Sequence, residues 1–163
     1  MKIYAVILLF LMIAFSCKTK RTCGGFINPV NIKSKVTSLK LIGIADTTIA
    51  YISGSVSGKC EKRDQETAVP GSAIVLTNKR TQKETATVSN DDGNYKLQLS
   101  AGDYDIAING VSFNDIIILD VKIGTGYMIK LDVMLGNKGK NGTTSIYQMK
   151  EDRSLVEIQQ QRK

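Results

Sequence analysis

Thr87-Val88-Ser89-Asn90-Asp91-Asp92-Gly93-Asn94-Tyr95-Lys96-Leu97-Gln98-Leu99-Ser100-Ala101-Gly102-Asp103-Tyr104-Asp105-Ile106-Ala107-Ile108 decides the fold. Tyr95, Leu97 and Leu99 alternate with Lys96 and Gln98, and Tyr104, Ile106 and Ile108 alternate with Asp105 and Ala107. Successive side chains of an extended chain point to opposite faces, so each run predicts a strand with one buried face. Asn, Asp and Gly tolerate positive φ, which makes Asn90 to Asn94 the strongest turn signal in the chain. Ala101-Gly102-Asp103 predicts a second reversal.

The same grammar extends in both directions. Val36, Leu39, Leu41, Ile42 and Ile44 open a β-prone region, and Tyr51 to Val56 alternates apolar with small or polar residues. A charged loop, Gly58 to Thr67, precedes Val69-Pro70-Gly71, where Pro70 suits a turn that needs no backbone donor. Strands are predicted at Ser72–Thr77, Thr85–Val88, Ile116–Val121 and Met128–Leu135, the last two separated by Gly124-Thr125-Gly126. No amphipathic helix interrupts them. Many short strands with turns at regular intervals predict an all-β, antiparallel sandwich of about seven strands with Greek-key connections. The predicted domain runs over 36–136. A basic tether (17–35) precedes it and a polar tail (137–163) follows. In the tail, Ser145–Met149 offers a final strand and Ser154–Ile158 the start of a short helix, but a frayed segment is the expectation.

The N-terminus carries an address. Lys2 supplies a positive charge, Ile3 to Ala14 form an apolar run, and Ala14-Phe15-Ser16 end in small residues before Cys17. This is the pattern of a secretory signal, removed on maturation. The cysteine after the cut makes it resemble a bacterial lipoprotein signal, in which Cys17 receives the lipid, although Ala14 stands where the usual pattern has Leu. Ordinary cleavage, leaving a free N-terminal cysteine, is the alternative. The run of about a dozen residues is short of the roughly 20 that span a bilayer. Each buried acyl CH₂ contributes about 0.8 kcal/mol, so several chains would hold the protein firmly.

Composition narrows the chemistry. Removing the first sixteen of 163 residues leaves 147, enough for one ordinary domain. The net charge is +7, from 22 basic and 15 acidic residues. With an export signal and basic residues dispersed among acidic ones, no nucleic-acid partner is expected. Lys18, Lys20 and Arg21 sit beside the expected lipid, as a solvated linker or against anionic headgroups. There is no histidine and no tryptophan. His-dependent triads and His-ligated zinc are therefore excluded. With Cys17 acylated, Cys23 and Cys60 either form a disulfide in an oxidising compartment or stay unpaired.

The stretch Gly54-Ser55-Val56, Val69-Pro70-Gly71-Ser72-Ala73-Ile74-Val75, Thr87 to Leu97 and Gly102-Asp103-Tyr104-Asp105-Ile106 resembles the carboxypeptidase regulatory-like domain. The match covers about 51–135, and its most specific part is Asp92-Gly93-Asn94-Tyr95, a strand, then Gly102-Asp103-Tyr104. The resemblance implies a transthyretin-like (prealbumin-like) sandwich of the kind common in secreted and outer-membrane proteins of the Bacteroidetes, and no peptidase activity. Tyr95 and Tyr104 are expected to pack their rings inward with the hydroxyls near the sandwich edge.

The same residues offer sharper chemistry. Asn90, Asp91, Asp92 and Asn94 offer oxygens to calcium, but the bidentate acid of a calcium loop is missing and a hairpin is expected. Ser53, Ser55 and Ser57 read as the exposed face of a strand. The sequence therefore predicts a membrane-anchored, non-enzymatic lipoprotein with no cofactor or metal, facing the periplasm. Its sandwich would recruit an envelope protein along an edge strand. A carboxylate hydrolase using Asp91 and Asp92, or a small-ligand carrier, are the alternatives.

Overall fold

The computed structural model describes residues 31–59 and 65–158. Eleven strands and no helix occur among them. The strands are β1 (Lys35–Ile44), β2 (Ala50–Lys59), β3 (Thr67–Ala68), β4 (Ala73–Asn78), β5 (Glu84–Val88), β6 (Asn94–Leu99), β7 (Gly102–Asn109), β8 (Ile116–Ile123), β9 (Tyr127–Gly136), β10 (Ser145–Met149) and β11 (Leu155–Ile158). One sheet runs β1-β9-β2, with β6 and β3 sharing the far edge of β2. The other runs β11-β10-β8-β7-β4-β5. The chain is an all-β sandwich, as its alternation predicts.

The core lies between the sheets. Ile52 and Val56 of β2 and Leu131, Val133 and Leu135 of β9 face Ile74 and Leu76 of β4, Ile106 and Ile108 of β7, and Ile116, Ile118 and Val121 of β8. Each of these side chains is almost wholly removed from water, worth about 1.5–3 kcal/mol apiece in transfer free energy. β1 contributes only its half-buried Val36 and Leu39.

Four expectations are corrected. The sheets are mixed: β2 runs parallel to β9, and β10 parallel to β8. Alternation reveals that a strand exists, whereas these pairs join segments distant in sequence that have crossed to the opposite sheet and back. The Asn90–Asn94 turn does not close a hairpin within one sheet. It carries the chain from β5 in one sheet to β6 in the other, and the turn at Gly102 carries it back. The tail is not frayed through 137–158: β10 pairs with β8, and Leu155–Ile158 forms a strand on β10 where the start of a helix was expected. The tether also ends earlier than expected, because Ser34 is buried and Lys35 already lies in β1.

One irregularity explains a break in the pattern. Between β7 and β8 the register passes from Tyr104–Val121 to Ile106–Ile118, leaving one extra residue in β8. Asp120 takes φ 62° at this bulge, and its N–H donates to Asp105 Oδ1 at 3.0 Å. The bulge re-phases the strand, so Ile116 and Ile118, then Val121 and Ile123, all face inward. Asp120 also pairs with Lys79 and accepts a bond from Gln148 Nε2 at 3.0 Å. The Lys79 hydrogen bond, then that of Gln148, holds its carboxyl below the usual range.

Candidate functional site: the tether junction and the open edge

The chain reaches the sandwich at a buried polar clasp. Asn114, at the approach to β8, is 1% exposed. Its Nδ2 donates to Asn31 Oδ1 (2.5 Å), the Ile32 carbonyl (2.7 Å) and the Asn137 carbonyl (3.1 Å). Its Oδ1 accepts the Thr143 N–H at 2.8 Å. Ser34 Oγ donates to the Asn114 carbonyl and accepts the Gly136 N–H. Ser145 Oγ donates to the Ser34 carbonyl at 2.7 Å. Segments before β1, before β8, after β9 and before β10 are thereby tied together, and no buried side-chain polar atom among the described residues lacks a partner. Lys33 adds an exposed ion pair with Glu157 of β11, and this hydrogen bond raises the lysine pKa.

β1 begins at the clasp and, among the described residues, forms an edge of its sheet. None of its ten residues is fully buried. Leu41, Ile42 and Ile44 are exposed, as is Met128 on the neighbouring β9. Lys35 and Lys40 also lie exposed on this strand, and charged residues on an edge discourage indiscriminate pairing.

The residues singled out in the sequence serve the fold. Gly71 and Gly93 take φ of 70° and 77°, conformations that favour glycine. Pro70 is exposed beside Val69, whose carbonyl accepts bonds from Ser72 Oγ and Ser89 Oγ. Asn90 Oδ1 accepts the N–H groups of Asp92 and Asn94, so this oxygen is taken up by its own turn. Asp91 and Asp92 are exposed. Among the described residues no group of three or more His, Cys, Asp or Glu is placed to hold a metal ion. Ser55 N–H and Oγ both donate to Asp132 Oδ1 at 3.0 Å, and Ser57 Oγ donates to Glu66 Oε2 at 2.6 Å. Ser53 pairs with Lys96 in the β2–β6 register.

Tyr95 departs from the expected position at the edge. It pairs with Gly54 on β2, and its hydroxyl crosses that glycine to donate to the Leu131 carbonyl on β9 at 2.8 Å. A methyl group at position 54 would overlap the Leu131 oxygen. Burial, with Asp132 nearby, raises the Tyr95 pKa above its ordinary range. Tyr104, also buried, donates to the Ser100 carbonyl four residues upstream at 3.0 Å. It pins the corner at Gly102, as the tyrosine corner does in other sandwiches. Cys17, Cys23, Cys60 and the signal and basic run lie outside the described residues.

No family model matches the chain, and no curated protein does. Solved structures align with it at low identity. A 3-chlorocatechol 1,2-dioxygenase from Rhodococcus opacus 1CP is 7% identical, with 58% of this chain and 63% of that one covered and a TM-score of 0.42. A dioxygenase domain from Streptomyces sp. SirexAA-E is 10% identical, with 56% and 81% covered and a TM-score of 0.39. A hydroxyquinol 1,2-dioxygenase from Pseudomonas putida DLL-E4 is 10% identical, with 80% and 71% covered and a TM-score of 0.43. These are enzymes, and that finding overturns the expectation that the chain is not one. The non-enzymatic reading is withdrawn. Likeness at this level transfers no substrate and no residue role.

Proposed function

We propose that the protein is a cell-envelope lipoprotein, anchored through Cys17, whose sandwich presents the β1 edge to a partner protein. On this reading residues 1–16 are the signal peptide. The domain is a carboxypeptidase regulatory-like, transthyretin-like sandwich of a type found in Bacteroidetes, and the protein faces the periplasm from the outer membrane. The observation that carries the proposal is the open edge of β1, which begins where the tether joins the sandwich and exposes Leu41, Ile42 and Ile44. An extended segment pairing there would gain ladder hydrogen bonds and cover those side chains.

The test has two parts. Intact mass of the mature protein should show acyl chains on Cys17, and a further 2 Da deficit if Cys23 and Cys60 are bridged, each disulfide removing two hydrogens. Cross-linking and pull-down from detergent-solubilised membranes should recover a partner that Ile42→Lys with Ile44→Lys releases. An unmodified Cys17 would refute the anchor. A partner indifferent to both substitutions would refute the edge.

A further inference from the structure

At the end of the sandwich opposite Asn31, the β8–β9 and β10–β11 turns enclose an open groove of about 340 Å³. Lys122, Tyr127, Lys150 and Arg153 line it, with Asp103 and Glu151 at its walls. A narrower cleft shares Lys122, Tyr127 and Arg153 and runs on to Lys40 of β1. The ladder fixes this placement: Tyr127 pairs with Ile44 at one end of β9, while Lys35, next to the clasp, pairs with Met134 near the other. At about 3.3 Å per residue, the two ends lie roughly 25–30 Å apart.

Two features set this groove apart. Lys33, Lys79 and Lys130 each form an ion pair; the groove's Lys122, Lys150 and Arg153 and the cleft's Lys40, like the other surface cations, form none among the described residues, but here they converge on one opening. Three cations therefore meet two carboxylates around the groove, with Lys40 in the adjoining cleft. Arg153 is also held in an unfavourable backbone conformation. Its φ is 63°, a left-handed value that a bulky residue seldom adopts. The turn is closed by a bond from Arg153 N–H to the Lys150 carbonyl at 2.9 Å. The guanidinium donates from Nη2 to the Tyr127 hydroxyl at 2.8 Å and lies 5.1 Å from the ring centroid. Gly124 makes room for that ring, since a side chain there would meet it. The arginine fork is thus fixed in place, and among the described residues its remaining donors have no protein partner.

We propose that this groove binds a small phosphate-bearing solute, held by Arg153, Lys122 and Lys150. A planar arginine fork with flanking ammonium groups matches phosphate oxygens in geometry and charge. The volume falls near the lower end of the roughly 300–1,000 Å³ typical of ligand clefts, so the ligand is small. Asp103 and Glu151 at the walls disfavour an extended polyanion.

The test is calorimetric titration of the full-length mature protein in detergent with inorganic phosphate and glycerol 3-phosphate. A parallel arm measures its binding to vesicles containing phosphatidylglycerol. Saturable one-to-one binding of at least one soluble phosphate is expected. It should weaken about tenfold in Lys122→Gln and in Arg153→Asn, the loss of one charge-assisted bond. Asparagine tolerates the left-handed backbone at 153, and Lys122 lies exposed on a strand, so neither change threatens the fold. Lys96→Gln, at a cation resting on Tyr51, should bind as wild type. Tighter binding of glycerol 3-phosphate than of phosphate would mark an organic phosphate as the ligand. No saturable binding of either soluble phosphate, affinity unchanged in both groove variants, or binding confined to the vesicles would each overturn the proposal. The soluble arms do not depend on Cys17 carrying lipid, so this result stands apart from the test of the anchor.

Discussion

Replacing Asn114 by alanine should open the clasp at a measurable and calculable cost. The Asn114 amide touches three acceptors through Nδ2, which has two hydrogens, and one donor through Oδ1. One hydrogen is therefore shared, and the side chain supplies about three effective bonds. At about 1 kcal/mol each, the loss is about 3 kcal/mol. The Asn137 carbonyl keeps the Ile32 N–H as a donor, and Asn31 and the Thr143 N–H can recover water, so about 3 kcal/mol is the upper end of the expected loss. With a urea slope of about 2 kcal/mol/M, the unfolding midpoint should fall by up to roughly 1.5 M. Hydrogen exchange adds a local readout. The Ile32 amide donates to the Asn137 carbonyl at 3.0 Å and should lose protection before the amides of β4 and β7 do. A midpoint shift corresponding to less than about 1 kcal/mol, with Ile32 still protected, would show that the network is not cooperative and would refute the reasoning.

Three further outcomes follow from the same geometry. Gly54→Ala drives a methyl group into the Leu131 carbonyl, a backbone group that cannot swing aside, so a loss of about 3 kcal/mol or failure to accumulate folded protein is expected, read by thermal melting. Tyr95→Phe keeps the ring over Gly54 but strands that carbonyl, and chemical denaturation should show a loss of about 1–2 kcal/mol. Asp120 has a depressed pKa in the folded state, so its pairing adds stability above the unfolded carboxylate value, roughly pH 4, and that stability fades as pH falls through the lower folded value. The stability gap between wild type and Asp120→Asn should accordingly narrow on acidification from neutral pH. A gap that widened would reverse the assigned sign.

The strands with strict alternation were legible because burying one face leaves a period of two. Tyr95 to Leu99 and Tyr104 to Ile108 are strands with the expected faces inward. The sheet to which each strand belongs was not legible, since a turn rich in Asn and Gly reverses a chain equally well within a sheet or between two. β8 disguised its phase because Asp120 occupies the bulge, and β11 disguised itself because only Leu155 of its apolar residues is even half-buried. The clasp was harder still. Asn31, Ser34, Asn114 and Ser145 are spread over more than a hundred positions, and only folding makes them neighbours. The distal groove has no sequence signature for a related reason: Lys122 and Arg153 are ordinary surface charges in the sequence, and only the fold brings them to one opening with Tyr127.

The orientation of β1 has a mechanical consequence. Its first residue adjoins the clasp, and its last pairs with Tyr127 at the opposite end of the molecule. For a chain held at Cys17 and gripped by anything at that far end, tension runs along the strand. Bonds from Lys35–Met134 to Ile44–Tyr127 are then sheared together, whereas a hairpin pulled sideways unzips them one at a time. The clasp stands where the pull arrives and spreads it into β8, β9 and β10. Loaded in that way, the β1–β9 ladder would yield as a unit rather than bond by bond.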